Sequence, residues 1–173
     1  MSPFLFAVAV AGVSRDAWLI EPGRRVGNLT IGRTLERDLV SLGPQAPGAE
    51  GDAAMGHIWH RWVGRTGHEL DVYTVRGETG ADTDNFVTQV RVTSPAFHTA
   101  DGLHVGSPYP QIAGRFPIRN SVKTRPGWRL IDDRRGGIAI EVTAGHCAGI
   151  VVHPRGQGVL QTYSPYPGYD FGG

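Results

Sequence analysis

Residues Asn85 to Phe116 read NFVTQVRVTSPAFHTADGLHVGSPYPQIAGRF, and this stretch decides the fold. A β-branched alternating run turns, forms a short segment ending on Gly106, and passes into a short helix. Its second part echoes Val26 to Leu42, VGNLTIGRTLERDLVSL. Setting Gly32 against Gly106 gives an offset of 74 residues, from 106 − 32. Leu29 then meets Leu103, Ile31 meets Val105, Leu35 meets Tyr109 and Leu42 meets Phe116, apolar on apolar each time. Before each glycine the apolar residues alternate as on a half-buried strand; after it they recur as on one helix face. A glycine at that junction supplies the backbone freedom for a sharp exit. Ser107 followed by Pro108 reads as an N-cap and first-turn proline, and Thr34 as the cap of the first helix. The pattern predicts one supersecondary unit used twice.

Working outward, 173 residues suffice for one domain or two small sub-domains with a real core. A formal net charge of +1, with basic residues scattered among acidic ones, gives no field that attracts a polyanion, so nucleic acid is not an expected partner. The 25 glycines and 12 prolines favour short elements joined by many turns. A single cysteine, Cys147, leaves the redox compartment open. The apolar run from Pro3 to Val13 is too short to span a membrane. Residues 1–17 read as a signal remnant, with Ala9-Val10-Ala11 as a small-x-small cleavage site, or as a first strand. The signal reading implies a periplasmic or secreted protein.

Residues 18–95 form the expected first unit. Thr34 to Leu42 places Leu35, Leu39 and Leu42 on one helix face and turns Glu36, Arg37 and Asp38 to water, and Gly43-Pro44 ends it. His57 to Val63, His68 to Val75 and Phe86 to Thr93 alternate and read as an antiparallel meander. Residues 96–160 form the second unit, with strands at Trp128 to Asp132, Gly137 to Val142 and Gly149 to His153, and a hairpin turn at Arg134-Arg135-Gly136-Gly137. Residues 161–173 are a Pro/Gly/Tyr-rich tail. The expected class is therefore α+β: two related helix-plus-meander halves, helices on one face of the sheet.

Motifs that suggest chemistry are incomplete. Val142-Thr143-Ala144-Gly145-His146-Cys147 resembles the histidine segment of bacterial chymotrypsin-like serine proteases, but no GDSGG-type segment follows. A general base without nucleophile or oxyanion hole does not hydrolyse peptides. His57-x-x-His60 lies on a predicted strand, where the two imidazoles point to opposite faces, and no nearby cluster completes a metal-ligand set. Cys147 reads as a small buried hydrophobe. No phosphate loop of either glycine-rich type is present. These readings assign no catalytic residue, metal or cofactor.

The aromatics offer a binding site instead. Trp59 and Trp62 fall on opposite faces of one strand, with Tyr73 and Trp128 on others, and an aromatic on an open sheet face is a candidate anchor for a protein partner. The sequences Leu29-Thr30-Ile31-Gly32 and Leu103-His104-Val105-Gly106, each followed by a helix, resemble the repeats of the outer-membrane assembly lipoproteins SmpA/OmlA and the β-lactamase inhibitor protein. That resemblance implies helices packed on antiparallel sheets, with tandem copies as in the inhibitor. Cys147 stands alone where the inhibitor's repeats carry disulfides, and no inhibitory residue carries over. The expectation is a non-catalytic, extracytoplasmic protein-binding or envelope-associated domain. The alternative is a small-molecule-binding domain or enzyme with a pocket between sheet and helices, using His57, His60 or His104.

Overall fold

The computed structural model describes residues 16–46, 56–77, 84–116, 121–123 and 126–159, with the backbone path alone for 121–123. The expected signal remnant or first strand, apart from its last two residues, and the Tyr-rich tail lie outside the described residues.

The chain begins with β1 (Leu19–Glu21), β2 (Arg25–Val26) and β3 (Leu29–Thr30), then a 3-10 helix, Glu36–Leu42. β4 (His57–Val63), β5 (Glu69–Arg76) and β6 (Asn85–Val92) follow as an antiparallel meander. After β7 (His98–Thr99), α1 (Tyr109–Ala113) and β8 (Ser121–Lys123) comes a second meander: β9 (Trp128–Asp133), β10 (Ile138–Thr143) and β11 (His146–Val152). The two meanders join edge to edge through β6 and β11 into one seven-stranded sheet, ordered β4-β5-β6-β11-β10-β9-β8. A four-stranded sheet, β3-β2-β1-β7, contains the parallel pair β1–β7.

The alternation that marked the strands also sorts their faces. One face of the large sheet carries Val72, Val90, Val92, Ile138, Ile140, Ile150 and Val152, all buried. They share a core with Ile20, Val26 and Leu29 of the small sheet, with Leu39 of the 3-10 helix, and with Phe97, Leu103 and Ile112. The opposite face holds a second cluster of Trp59, Tyr73, Leu130, Ala139, Val151 and Val159.

The α+β expectation is thereby corrected: the molecule is mostly β, with two sheets and, among the described residues, two short helices. A helix of five or seven residues is too short to form a layer. The segments before Gly32 and Gly106 join strands of the small sheet, and this sheet, more than the helices, covers the core face. Neither expected cap serves its helix. The Thr34 hydroxyl accepts from the Thr30 N–H at 2.8 Å and the Ser107 hydroxyl from the His104 N–H at 3.1 Å, so both turn back toward the preceding strand. The N-cap positions are Leu35 and Pro108.

Hydrogen bonds around the two glycines run in parallel. Both have left-handed φ, 71° at Gly32 and 99° at Gly106, a region that glycine enters at little cost. The Gly32 N–H donates to the Val87 carbonyl (2.7 Å), and Val87 N–H to that of Thr34 (2.8 Å). The Gly106 N–H donates to the Cys147 carbonyl (2.8 Å), and Cys147 N–H to that of Ser107 (2.8 Å). One residue beyond Val87 and one beyond Cys147, β6 and β11 bulge, opposite Tyr73/Thr74 and Glu141/Val142. Isolated bridges pair Leu35 with Phe86 and Pro108 with His146. Past the glycines, Leu35 thus corresponds to Pro108 instead of Tyr109, a slip of one residue from the register that the sequence alignment gave.

Candidate functional site

On the core face of the first meander, Ile58, His60 and Trp62 alternate along β4, and Leu70, Val72 and Thr74 along β5. His60 and Thr74 are polar residues in otherwise apolar rows. Both are buried, at 5% and 0% exposure. The 3-10 helix crosses above them and brings down Glu36, which is half-buried and not turned to water as the sequence suggested. Arg37 and Asp38 are exposed as expected.

These groups form one network. The Thr74 hydroxyl lies 3.2 Å from Glu36 Oε2, which also accepts from the Asn85 amide nitrogen. His60 Nε2 stands 3.2 Å from Thr74 Oγ1 and 3.6 Å from Glu36 Oε1, and its Nδ1 is 3.3 Å from Gln45 Oε1. Burial pushes the His60 pKa below its ordinary value, and nearby Glu36 pulls it partly back. The ring is therefore neutral at pH 7. The tautomer of the ring decides which of its nitrogens donates, and the Thr74 hydroxyl also has Glu36 Oε2 and, at 3.4 Å, the Ile58 carbonyl within reach as acceptors.

An open cleft of about 650 Å³ lies over this network, lined by Glu36, Arg37, Leu39, Val40, Gly43, Gln45, His60, Asp84 and Asn85. Arg37 forms an ion pair with Asp84 across the rim. Val40, 82% exposed, supplies an apolar lip. The Trp62 indole N–H donates to the Gly43 carbonyl at 3.1 Å and fixes the end of the 3-10 helix against β4.

The second meander carries different side chains at the corresponding positions. Strand register and bulge positions set His60 against Ile131, Thr74 against Val142, Ile58 against Arg129 and Asn85 against Gly145. The Leu35–Pro108 correspondence sets Glu36 against Tyr109, whose hydroxyl accepts from Arg129 Nη1 at 3.0 Å while the guanidinium lies 5.7 Å from the ring centroid. Ile131 and Val142 are buried in the core. Where the first half has His60 and Thr74, the second has apolar Ile131 and Val142.

The residues singled out in the sequence are scattered. Trp59, Trp62 and Tyr73 are buried and Trp128 is half-buried, so three of the four proposed aromatic anchors face other side chains. Trp59 and Tyr73 pack with ring centroids 5.0 Å apart. Of the three histidines, His57 bonds the Tyr73 hydroxyl (3.1 Å) on the opposite face, and His104 is exposed beside the Gly102 carbonyl (2.9 Å). His60 alone of these lines the cleft. Among the described residues no group of three or more His, Cys, Asp or Glu is placed to hold a metal ion. The protease-like segment is a hairpin turn: Ala144 and Gly145 have φ of 48° and 78° between β10 and β11, and exposed His146 bonds the Ala144 carbonyl. Cys147 is buried, and burial pushes its thiol pKa up to about 12. It is no nucleophile at neutral pH.

A second polar cluster, on the opposite face, is saturated by its own partners. Arg91 holds Glu141 through two bonds of 2.7 and 2.9 Å, and its Nη1 reaches Glu69 (2.7 Å) and Asp71 (2.8 Å). Burial opposes the guanidinium's charge, but these carboxylates outweigh it and raise its pKa. Gly149 leaves room for Glu141, since a Cβ there would sit 2.5 Å from its Oε2. The cluster ties β5, β6 and β10 together across the seam, which is a structural task.

No helix among the described residues is long and apolar enough to cross a membrane. No family model and no curated protein matches the chain. Among solved structures, it is similar to the uncharacterized protein yfeY from Escherichia coli, at 11% identity and a TM-score of 0.43, over 76% of this chain and 97% of that one. So slight a likeness carries no argument about function.

Proposed function

We propose that the chain is one supersecondary unit used twice, and that its first half binds a small polar molecule in the cleft over Glu36, Thr74, His60 and Asn85. The observation that carries this is the contrast with the second meander. Supporting this, the residues that the proposed repeat sets against His60 and Thr74 are the buried, apolar Ile131 and Val142. Polar residues there cost stability, because each buried polar atom gives up water for an imperfect partner. A cost of that kind, placed beneath an open cleft, is the mark of a binding site. Binding is favoured over turnover because Thr74, the hydroxyl within reach of His60, is itself fully buried. The protein-partner reading finds little support, since Trp59, Trp62 and Tyr73 lie inside.

A thermal-shift screen of small polar molecules tests the reading. A ligand at 100 times its Kd adds about 2.7 kcal/mol, enough to raise Tm by roughly 5–10 °C in a domain of this size. The expected result is stabilisation of the unaltered protein that His60→Leu abolishes. An equal response in His60→Leu, or no response to any compound class, would reject it.

A further inference from the structure

Resting on the proposed binding role of the cleft, we propose that its ligand is a small organic cation: a protonated amine on a short apolar segment. Two acceptors beside the cleft, on Glu36 and Asn85, lack a full donor partner among the described residues. Glu36 Oε2 is occupied by Asn85 and lies within reach of Thr74, whereas its Oε1 has, among the described residues, only the His60 ring edge at 3.6 Å. Because Glu36 accepts, the Asn85 amide must turn its nitrogen toward it, which leaves Asn85 Oδ1 buried with no partner among the described residues. An acceptor stranded in this way asks for a donor.

Charge gives the same direction. Among the described residues the charged groups that line the cleft are Glu36, Asp84 and Arg37, and the last two pair with each other, so the Glu36 carboxylate remains as the uncompensated charge. His60 is neutral at pH 7 and does not offset it. A carboxylate in a partly desolvated cleft attracts a cation more strongly than it would in water, and repels an anion by as much. Leu39, exposed Val40 and Gly43 line one side with apolar surface, which suits a short hydrocarbon chain next to the charged end. A neutral polyol would meet the acceptors but make no use of the charge or of the apolar lip.

The test is a titration of the full-length protein with n-butylammonium, n-butanol and butyrate, probes of one chain length and three charges. The readouts are the Asn85 side-chain amide and the His60 ring resonances. Saturable shifts with butylammonium, at least tenfold tighter than with butanol, and none with butyrate, are expected. Glu36→Gln should weaken butylammonium binding at least tenfold. The comparison of probes on the unaltered protein stands even if that variant fails to fold. Butanol or butyrate bound as tightly at the same resonances would overturn the cation while leaving the cleft a binding site. Silence of those resonances to all three probes would overturn both.

Discussion

Where the first meander of the large sheet places His60 and Thr74, the second places Ile131 and Val142; where Glu36 descends from one short helix, Tyr109 descends from the other and stacks against Arg129. The backbones around these positions agree in strand pairing, in the bulge and in the glycine N–H bound to the third strand. On the twofold frame we propose, what differs is chemistry. The difference supports our proposal that the polar floor serves a ligand, because apolar residues occupy the positions that the proposed repeat sets against it.

The severest way to break the comparison is to part the halves. Glu141→Ala removes the carboxylate that holds Arg91 across the seam and leaves a buried cation undercompensated, at a cost of about 3–5 kcal/mol. Urea unfolding should show the loss, together with a lower Tm. A smaller effect tests the frame in the other direction. Ile131→His places the first half's residue among the apolar partners of the second, and a loss of roughly 2–3 kcal/mol is expected. The reciprocal change, His60→Leu, should alter stability by no more than about 1 kcal/mol while removing ligand binding, since its neighbour Trp62 and the Leu39 side chain already form an apolar wall.

pH sharpens the same contrast by a smaller amount. The His60 pKa is lower in the folded state than in the unfolded chain, so the unfolded chain binds more protons as pH falls below about 6.5, the ordinary histidine value. Its contribution is thus fully present above that pH and is lost as pH falls toward the folded-state value. His60→Leu should flatten the stability profile between about pH 7 and pH 5, measured by urea midpoints; an unchanged profile would mean that the ring is not desolvated. The smallest effect belongs to Cys147, which corresponds to Val87. Cys147→Val should cost less than about 1 kcal/mol, and iodoacetamide at pH 7 should leave the thiol unlabelled until the protein unfolds.

Much of the sheet was legible because its strands are long enough to alternate. Both meanders, and the Arg134–Gly137 turn, stand where period and glycine placed them, although β11 starts at His146, three residues ahead of the expected Gly149, because the bulge at Ala148 breaks its alternation. The small sheet was not legible: strands of two or three residues show no period. The helices were legible in place but overestimated in weight, which put the fold in the wrong class. Of the site, His60 was visible as a polar residue in the row Ile58-x-His60-x-Trp62, and Thr74 likewise after Leu70 and Val72. Glu36, Gln45 and Asn85 were hidden, because only the crossing of the 3-10 helix over β4 and β5 brings them to His60. Aromatic residues on a strand say that a face is apolar, not that it is open, and Trp59, Trp62 and Tyr73 are buried.

Crystals soaked with a panel of small amines, alcohols and carboxylates give the most direct test of unequal halves. We predict density in the cleft beside Glu36 and His60, and none between Tyr109 and Arg129. Fragments bound equally in both places, or bound only elsewhere, would contradict the account.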